Sequence, residues 1–223
     1  GLTASGGNTQ SLGLNVVGDL VRATDSSRLS LSTRALYGES EVDGERTTTA
    51  DQWRVGARHD WRRPNAPMYL FANGSVERDP LRQLAMRSAA GIGLGYRSVR
   101  GPDDRMEVFG GFGWRADRFT GLGSVIGGEL RSHYDTAELL LGEESAHRLG
   151  ENTVWQQRVM LFPSLKHGGD FRVVAESVLS VSMSRNLVLT VSLSDRFDSQ
   201  ATEPVKKNDL LFFTGINLRV GAR

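Results

Sequence analysis

Apolar and polar residues alternate along almost the whole chain. Leu12, Leu14, Val16 and Leu20 interleave with Gly13, Asn15, Val17 and Asp19. Trp53, Val55, Ala57, His59 and Trp61 interleave with Gln52, Arg54, Gly56, Arg58 and Asp60. The same period returns in Ile92, Leu94 and Tyr96 against Gly91, Gly93, Gly95 and Arg97, and in Met106, Val108, Phe112 and Trp114 against Glu107, Gly111, Gly113, Arg115 and Asp117. It recurs between Phe171 and Val181, between Leu187 and Leu193, and from Phe212 to Val220. Successive side chains of a strand point to opposite faces, so a period of two predicts strands with one apolar and one wet face. Helical spacing is nearly absent, and the predicted class is all-β.

The connections alternate too. Tight polar turns are predicted at Thr24-Asp25-Ser26-Ser27, Pro64-Asn65-Ala66-Pro67, Gly101-Pro102-Asp103, Leu149-Gly150-Glu151 and Ser184-Arg185-Asn186. Between them lie longer charged or glycine-rich segments, Gly38 to Thr48, Phe119 to Thr136, Phe162 to Asp170 and Asp198 to Asn208. Short turns alternating with long loops mark an outer-membrane barrel, with turns on the periplasmic side and loops outside. For the strand Ser11 to Ala23 to run toward the periplasm, Gly1 to Ser5 must carry the chain up, with Gly6-Gly7-Asn8-Thr9 as the outer turn. That gives a single antiparallel transmembrane β-barrel domain of about twelve strands over residues 1–223, with ten as the alternative. Spans of about 9–11 residues leave close to half of the chain for connections and overhangs.

A soluble barrel would show the same period with its apolar face turned inward. Aromatic placement favours the membrane form. Tyr37, Trp53, Trp61, Tyr69, Tyr96, Trp114 and Trp155 fall mostly near strand ends, on or beside the apolar face, as interfacial girdles require. Composition agrees. The 223 residues carry 26 glycines and only 6 prolines, and glycine serves a barrel where strands bend or the interior must stay open. A mean hydropathy of -0.32 is ordinary for a barrel, whose two faces average out. With 27 basic and 26 acidic residues there is no basic excess to displace counterions from nucleic acid. The absence of cysteine removes disulfides, thiolate zinc sites and cysteine nucleophiles.

The polar register predicts the lining of the interior. Arg34, Arg54, Arg58, Arg87, Arg97, Arg115, Arg158, Arg172 and Arg196 share it with Glu107, Asp117, Glu138 and Glu176. Glu77, Asp79 and Glu144 join these carboxylates as potential cation ligands, but mutual neutralisation with arginine is the simpler expectation. Full interdigitation would plug the lumen with ion pairs. Segregated charges would instead set up a field that selects small polar solutes, and sequence leaves both open. His59 and His147 fall on the apolar register and His133 and His167 in predicted loops; none shares a face with a serine and a carboxylate as a triad would need. Gly91-x-Gly93-x-Gly95 lacks the helix and the Gly-Lys-Ser/Thr of a phosphate loop, and reads as a smooth stripe beside which a bulky side chain fits. Asn73-Gly74-Ser75 lies within a predicted strand and carries no weight as a glycosylation site. Glu143 falls on the lipid-facing register, through an interfacial depth or a bulge that reverses the strand.

These pieces resemble the YdiY-like family of salt-induced outer-membrane proteins, a domain of unknown function. The matching residues are Thr3-Ala4-Ser5-Gly6-Gly7-Asn8-Thr9, Glu77-Arg78-Asp79, Gly91-Ile92-Gly93-Leu94-Gly95-Tyr96 and Gly215-Ile216-Asn217-Leu218. The resemblance spans essentially the whole chain. It implies a barrel in the outer membrane of the Gram-negative cell envelope and a link to osmotic stress, and it brings no catalytic residues. Two departures stand out: the chain ends on Leu218, Val220 and Gly221-Ala222-Arg223 without the usual terminal aromatic, and it lacks an initiator methionine and a signal peptide, which suits a processed or trimmed form. The expected role is passive, a narrow porin-like pore for small solutes or a barrel serving envelope integrity. The alternative is an occluded barrel that docks a protein partner through loops or turns, and a rim enzyme acting on lipid carries the least support. No cofactor, metal or nucleic acid is expected. The expected partners are outer-membrane lipid, lipopolysaccharide and, during insertion, the barrel-assembly machinery.

Overall fold

Alternating stretches become strands because a side chain every second position can be buried or solvated as a set. The computed structural model describes residues 2–5, 9–99, 104–126, 128–201 and 205–218. The first seven strands are β1 (Leu2–Ser5), β2 (Thr9–Ala23), β3 (Ser27–Val42), β4 (Glu45–Arg62), β5 (Met68–Asp79), β6 (Leu84–Val99) and β7 (Asp104–Phe119). A small hairpin of β8 (Ser124–Ile126) and β9 (Glu129–Arg131) follows. Then come β10 (His133–Arg148), β11 (Thr153–Pro163), β12 (Phe171–Ser182), β13 (Leu187–Asp198) and β14 (Asn208–Leu218). Among the described residues, twelve strands form one antiparallel sheet in sequence order and β8–β9 stands apart.

The sheet curls on itself as a barrel wall. Arg34 on β3 meets Glu176 on β12 at 2.9 Å, and Arg87 on β6 meets Asp198 on β13 at 3.5 Å. Arg58 on β4 lies 3.7 Å from Glu144 on β10. Strands so far apart in the ladder order face each other only across an interior. Among the described residues no ladder joins β1 to β14. The outer face is apolar and open: Phe112 is 63 % exposed and Phe212 66 %, with Leu12, Val55, Ile92 and Leu94 also exposed. Charges occupy the inner face, where Arg115, Asp117 and Glu138 are buried. That arrangement is the reverse of a soluble barrel and suits lipid.

The short turns fall where the pattern places them. Thr24 to Ser26 joins β2 to β3, with the Thr24 hydroxyl accepting from the Ser27 backbone N–H at 3.1 Å. Arg63 to Pro67, Leu149 to Asn152 and Met183 to Asn186 close the hairpins β4–β5, β10–β11 and β12–β13. The predicted turns at Gly6-Gly7-Asn8 and Gly101-Pro102-Asp103, and the terminal Val220 to Arg223, lie outside the described residues.

Two predicted loops are corrected. Gly38 to Thr48 is not a loop: β3 and β4 run through it to a two-residue turn at Asp43-Gly44, both with positive φ (53° and 80°). Asp-Gly is a strong signal for a tight hairpin whose twist matches its strands, and the flanking charges concealed it. Phe119 to Thr136 holds the β8–β9 hairpin and the first residues of β10, so His133 opens a strand. β4 accordingly reaches 18 residues and β3, β6, β7 and β10 reach 16, well beyond the about 9–11 that cross a bilayer. The three register shifts among the described residues, at Gly38/Glu39, Glu77/Asp79 and Leu84/Met86, lie at the long-loop end. β10 has none, which removes a bulge as the reason for Glu143. That residue pairs with Val108 and Val159, both exposed, and faces outward with them.

Candidate functional site

The interior is organised by glycine opposite aromatic. Tyr69 pairs with Gly95, Phe71 with Gly93, and Phe109 with Gly142. A Cβ on Gly95 would fall inside the Tyr69 ring, and one on Gly142 inside the Phe109 ring. On Gly93 it would lie 2.7 Å from Phe71 Cζ. The rings therefore lie flat over the missing side chains, which lets Tyr69, Phe71, Phe109 and Leu140 pack as a buried cluster with Met160 and Phe162 against it. Phe71 and Phe109 meet edge to face, with centroids 5.6 Å apart. Arginine covers the cluster: the Arg58 guanidinium stands 4.4 Å from the Phe71 centroid and 4.6 Å from that of Phe109, and Arg172 lies 4.8 Å from Phe162.

One ion network lies toward the short turns. Arg58 and Arg62 each donate to Asp60 at 2.7 Å. Tyr69 donates to Glu107 at 2.8 Å and Arg97 donates to the other oxygen at 2.9 Å. Arg158 meets Glu144 at 2.8 Å. A second network lies toward the long loops. Arg87 forks onto Asp117 at 2.7 and 2.8 Å and also reaches Glu77 at 3.2 Å. Arg172 forks onto Glu138 at 3.4 and 2.8 Å. Arg115 lies among three carboxylates, 3.2 Å from Glu138, 3.5 Å from Asp117 and 3.7 Å from Asp170. Tyr134 holds Asp170 from the other side at 2.8 Å. Planar forks and shared carboxylates suit arginine, which keeps its charge when buried.

Beside these networks a small cavity of about 70 Å³, continuous with solvent, opens toward the long loops. Arg34, Arg54, Arg82, Arg87, Arg115 and Arg196 line it with Glu77, Asp79, Asp117 and Asp198. Ile126 of the β8–β9 hairpin, Gln200 and Val205 line it from the loop side. Arg34 donates to Glu176 at 2.9 Å, whereas Arg54 is only loosely engaged, 3.7 Å from Glu77. Arg196 has no ion pair within 4.0 Å among the described residues, and its buried Nε meets no acceptor.

Of the thirteen residues on the polar register, twelve enter ion pairs within 4.0 Å and Arg196 alone lines the cavity without one. Glu77 and Glu144 are also met by arginine, whereas Asp79 caps a single helical turn at Pro80–Arg82 by accepting from the Arg82 N–H at 3.3 Å. Of the two arrangements left open by the sequence, the ion pairs show interdigitation. Arginine and carboxylate are not segregated onto opposite walls, because Arg34 and Arg54 on β3 and β4 and Arg196 on β13 line the cavity together with Glu77, Asp79, Asp117 and Asp198. Two expectations need correction. Tyr69 is not an interfacial aromatic but buried inward, while Trp61, Tyr96 and Trp114 are exposed outside. The interior is not uniformly polar, because the aromatic cluster occupies part of it. Parity could have found it: Phe71 and Phe109 stand two and two residues from Tyr69 and Glu107 on the inward register. His147 lies 2.8 Å from Asp104 at the short-turn end and His59 stacks on Trp61 with centroids 4.6 Å apart.

The architecture has solved counterparts. A structure described as the NanC porin is similar over 97 % of this chain and 96 % of that chain, with a TM-score of 0.58 and 8 % identity. A bacterial polysaccharide outer membrane secretin matches at 0.47 with 8 % identity, over 94 % of this chain and 90 % of that one. The β domain of the Bordetella autotransporter BrkA matches at 0.42 with 14 % identity, over 94 % and 91 %. Only the first likeness is strong enough to bear on the architecture, and at that identity it shows the fold alone. Comparison with curated proteins gave no match. Residues 1–219 match the family model described as "Protein of unknown function, DUF481", and the chain belongs to that family.

Proposed function

We propose that the protein is a non-enzymatic barrel of the bacterial outer membrane that lets small polar solutes pass through its charged interior. The observation that carries the reading is the small cavity, about 70 Å³ and open to solvent, inside a wall whose outer face is apolar. An apolar exterior needs lipid, and an interior of arginine, carboxylate and amide groups offers a hydrated path where the strands do not pack against one another. The barrel would rest in outer-membrane lipid and lipopolysaccharide, reach it through the barrel-assembly machinery, and serve envelope integrity by passing solutes at a controlled rate. The aromatic cluster and the two ion networks narrow the bore to the side of β2–β4 and β13–β14, so small conductance steps are expected.

Single-channel recording of refolded protein in a planar bilayer tests this. Steady openings that grow when Phe71→Ala removes part of the cluster would support a solute path beside the packed side. Silence from protein shown to be folded and inserted would overturn it. The second reading, a closed barrel that docks a protein partner through its loops or turns, draws on the filled interior and would then take its place.

A further inference from the structure

We propose that Arg34, Arg54 and Arg196 form a binding site in the cavity for a small solute carrying an oxyanion, a carboxylate or a phosphate. The inference rests on the solute-path reading and names the chemistry that path would select. Three strands on opposite sides of the interior bring the guanidiniums together, β3 and β4 on one wall and β13 on the other. The cavity lining holds six arginines against four carboxylates, Glu77, Asp79, Asp117 and Asp198. Glu77 is shared by Arg87 at 3.2 Å and Arg54 at 3.7 Å, and Glu176 is held by Arg34 at 2.9 Å. Arg196 is near enough to act electrostatically on both, yet it pairs with neither within 4.0 Å. The other arginines around these two carboxylates have partners of their own, Arg87 in Asp117, Arg172 in Glu138 and Arg158 in Glu144.

Of the three guanidiniums Arg196 has no ion pair within 4.0 Å among the described residues, although Asp209 faces it across the β13–β14 ladder and Asp198 lines the same cavity. A guanidinium cannot shed its proton in a protein, so one positive charge and several N–H donors have no protein acceptor. Inside a wall coated with lipid such a charge attracts a counter-ion, and the field between low-dielectric walls concentrates it. Arg196 Nε is buried without an acceptor, as are Arg115 Nε and Nη1, but Arg115 has three carboxylates within 3.7 Å and Arg196 has none within 4.0 Å. Carboxylate and phosphate both match the planar fork of a guanidinium, with one oxygen for each of two parallel N–H groups, a pairing that a single-atom halide cannot make.

The test uses the full chain, refolded and inserted, with Arg54→Gln, Arg196→Gln and Arg196→Lys beside it. Reversal potentials under a potassium chloride gradient should show anion preference, falling roughly threefold in permeability ratio in each glutamine variant and largely kept in Arg196→Lys. Potassium acetate and inorganic phosphate, added to one side, should each block chloride current in the parent protein, and the stronger of the two identifies the oxyanion. Calorimetric titration of the detergent-solubilised protein with the same two anions reads the site without conduction. Heat that disappears in Arg196→Gln, from a protein that does not conduct, would keep the site and overturn the solute path. A conducting protein with no anion preference, no block and no heat would overturn the site and leave the path standing. Heat-modifiable migration on a gel verifies that each variant is folded.

Discussion

Arginine builds the interior in two different ways. On β5–β7 and β10–β12 the guanidiniums are sunk among carboxylate forks and aromatic rings: Arg115 is 2 % exposed and Phe71 1 %. Around the cavity, toward the long loops of β3 and β4, the guanidiniums are more open, with the Arg34 side chain 35 % exposed and that of Arg54 38 %. The same residue type on the same register is structural in one place and available in the other. What differs is the local supply of acceptors. Arg115 has three carboxylates within 3.7 Å, while Arg196 has none within 4.0 Å. A barrel interior becomes solid where each charge is answered and hollow where the answering charges run short.

The largest effect should come from breaking the packed side. Arg115→Gln removes the cation that Asp117, Glu138 and Asp170 share, leaving buried carboxylates with less compensation than folding requires. A loss of about 3–5 kcal/mol in unfolding free energy is expected, read by urea titration of the refolded protein in detergent. If the cost were below about 1 kcal/mol, as for a surface pair, the claim that this side is a closed network would fail.

Next in size is the contact of ring on glycine. Gly95→Ala places a methyl where the Tyr69 ring lies, forcing the ring off Gly95 and straining its hydrogen bond to Glu107. Overpacking of this kind costs about 1–3 kcal/mol. Combined with Tyr69→Ala the two changes should cost less than their sum, because the second removes the atom the first collides with. Strictly additive costs would mean the pair is not in contact.

The glycine stripe also shows what the sequence made legible and what it hid. Period two placed the strands, the faces and the short turns, because alternation is a local property that survives without tertiary information. The stripe at Gly91, Gly93 and Gly95 announced room for a bulky neighbour. Which neighbour fills it depends on register, and register is set by pairing between strands. Parity alone turns Tyr69 and Phe71 inward, but that they lie on Gly95 and Gly93 follows only from β5 pairing with β6. The ion networks were legible as a composition of the inner face, but not their division, because Arg34 and Glu176 stand 142 residues apart in the chain. Asp43-Gly44 was the clearest local signal overlooked, masked by the charges around it.

A smaller effect separates the two faces of a strand on the packed side. On β10, Glu144 turns inward to Arg58 and Arg158, while its neighbour Glu143 turns outward between Val108 and Val159. Replacing the outward carboxylate with leucine should stabilise the protein in a bilayer by about 1 kcal/mol, since a charge facing lipid costs less toward the interface than at mid-depth. The same replacement at Glu144 should destabilise, leaving two guanidiniums short of an acceptor. Refolding titrations into lipid vesicles give both values, and equal signs would show that the assigned faces are wrong.

The smallest expected change is the most informative about the cavity side. Arg54→Gln removes a guanidinium whose one carboxylate, Glu77, lies 3.7 Å away and keeps Arg87 at 3.2 Å. Little is lost from the folded state: the pair is loose, the arginine is more than a third exposed, and the carboxylate retains a closer partner. Stability should shift by no more than about 0.5 kcal/mol in the urea titration that registers Arg115→Gln. Removing one of three crowded positive charges relieves repulsion, and that gain offsets part of the lost attraction to Glu77. A cost comparable to that of Arg115 would mean that Arg54 belongs to the closed network, and the two sides of the interior would then be one.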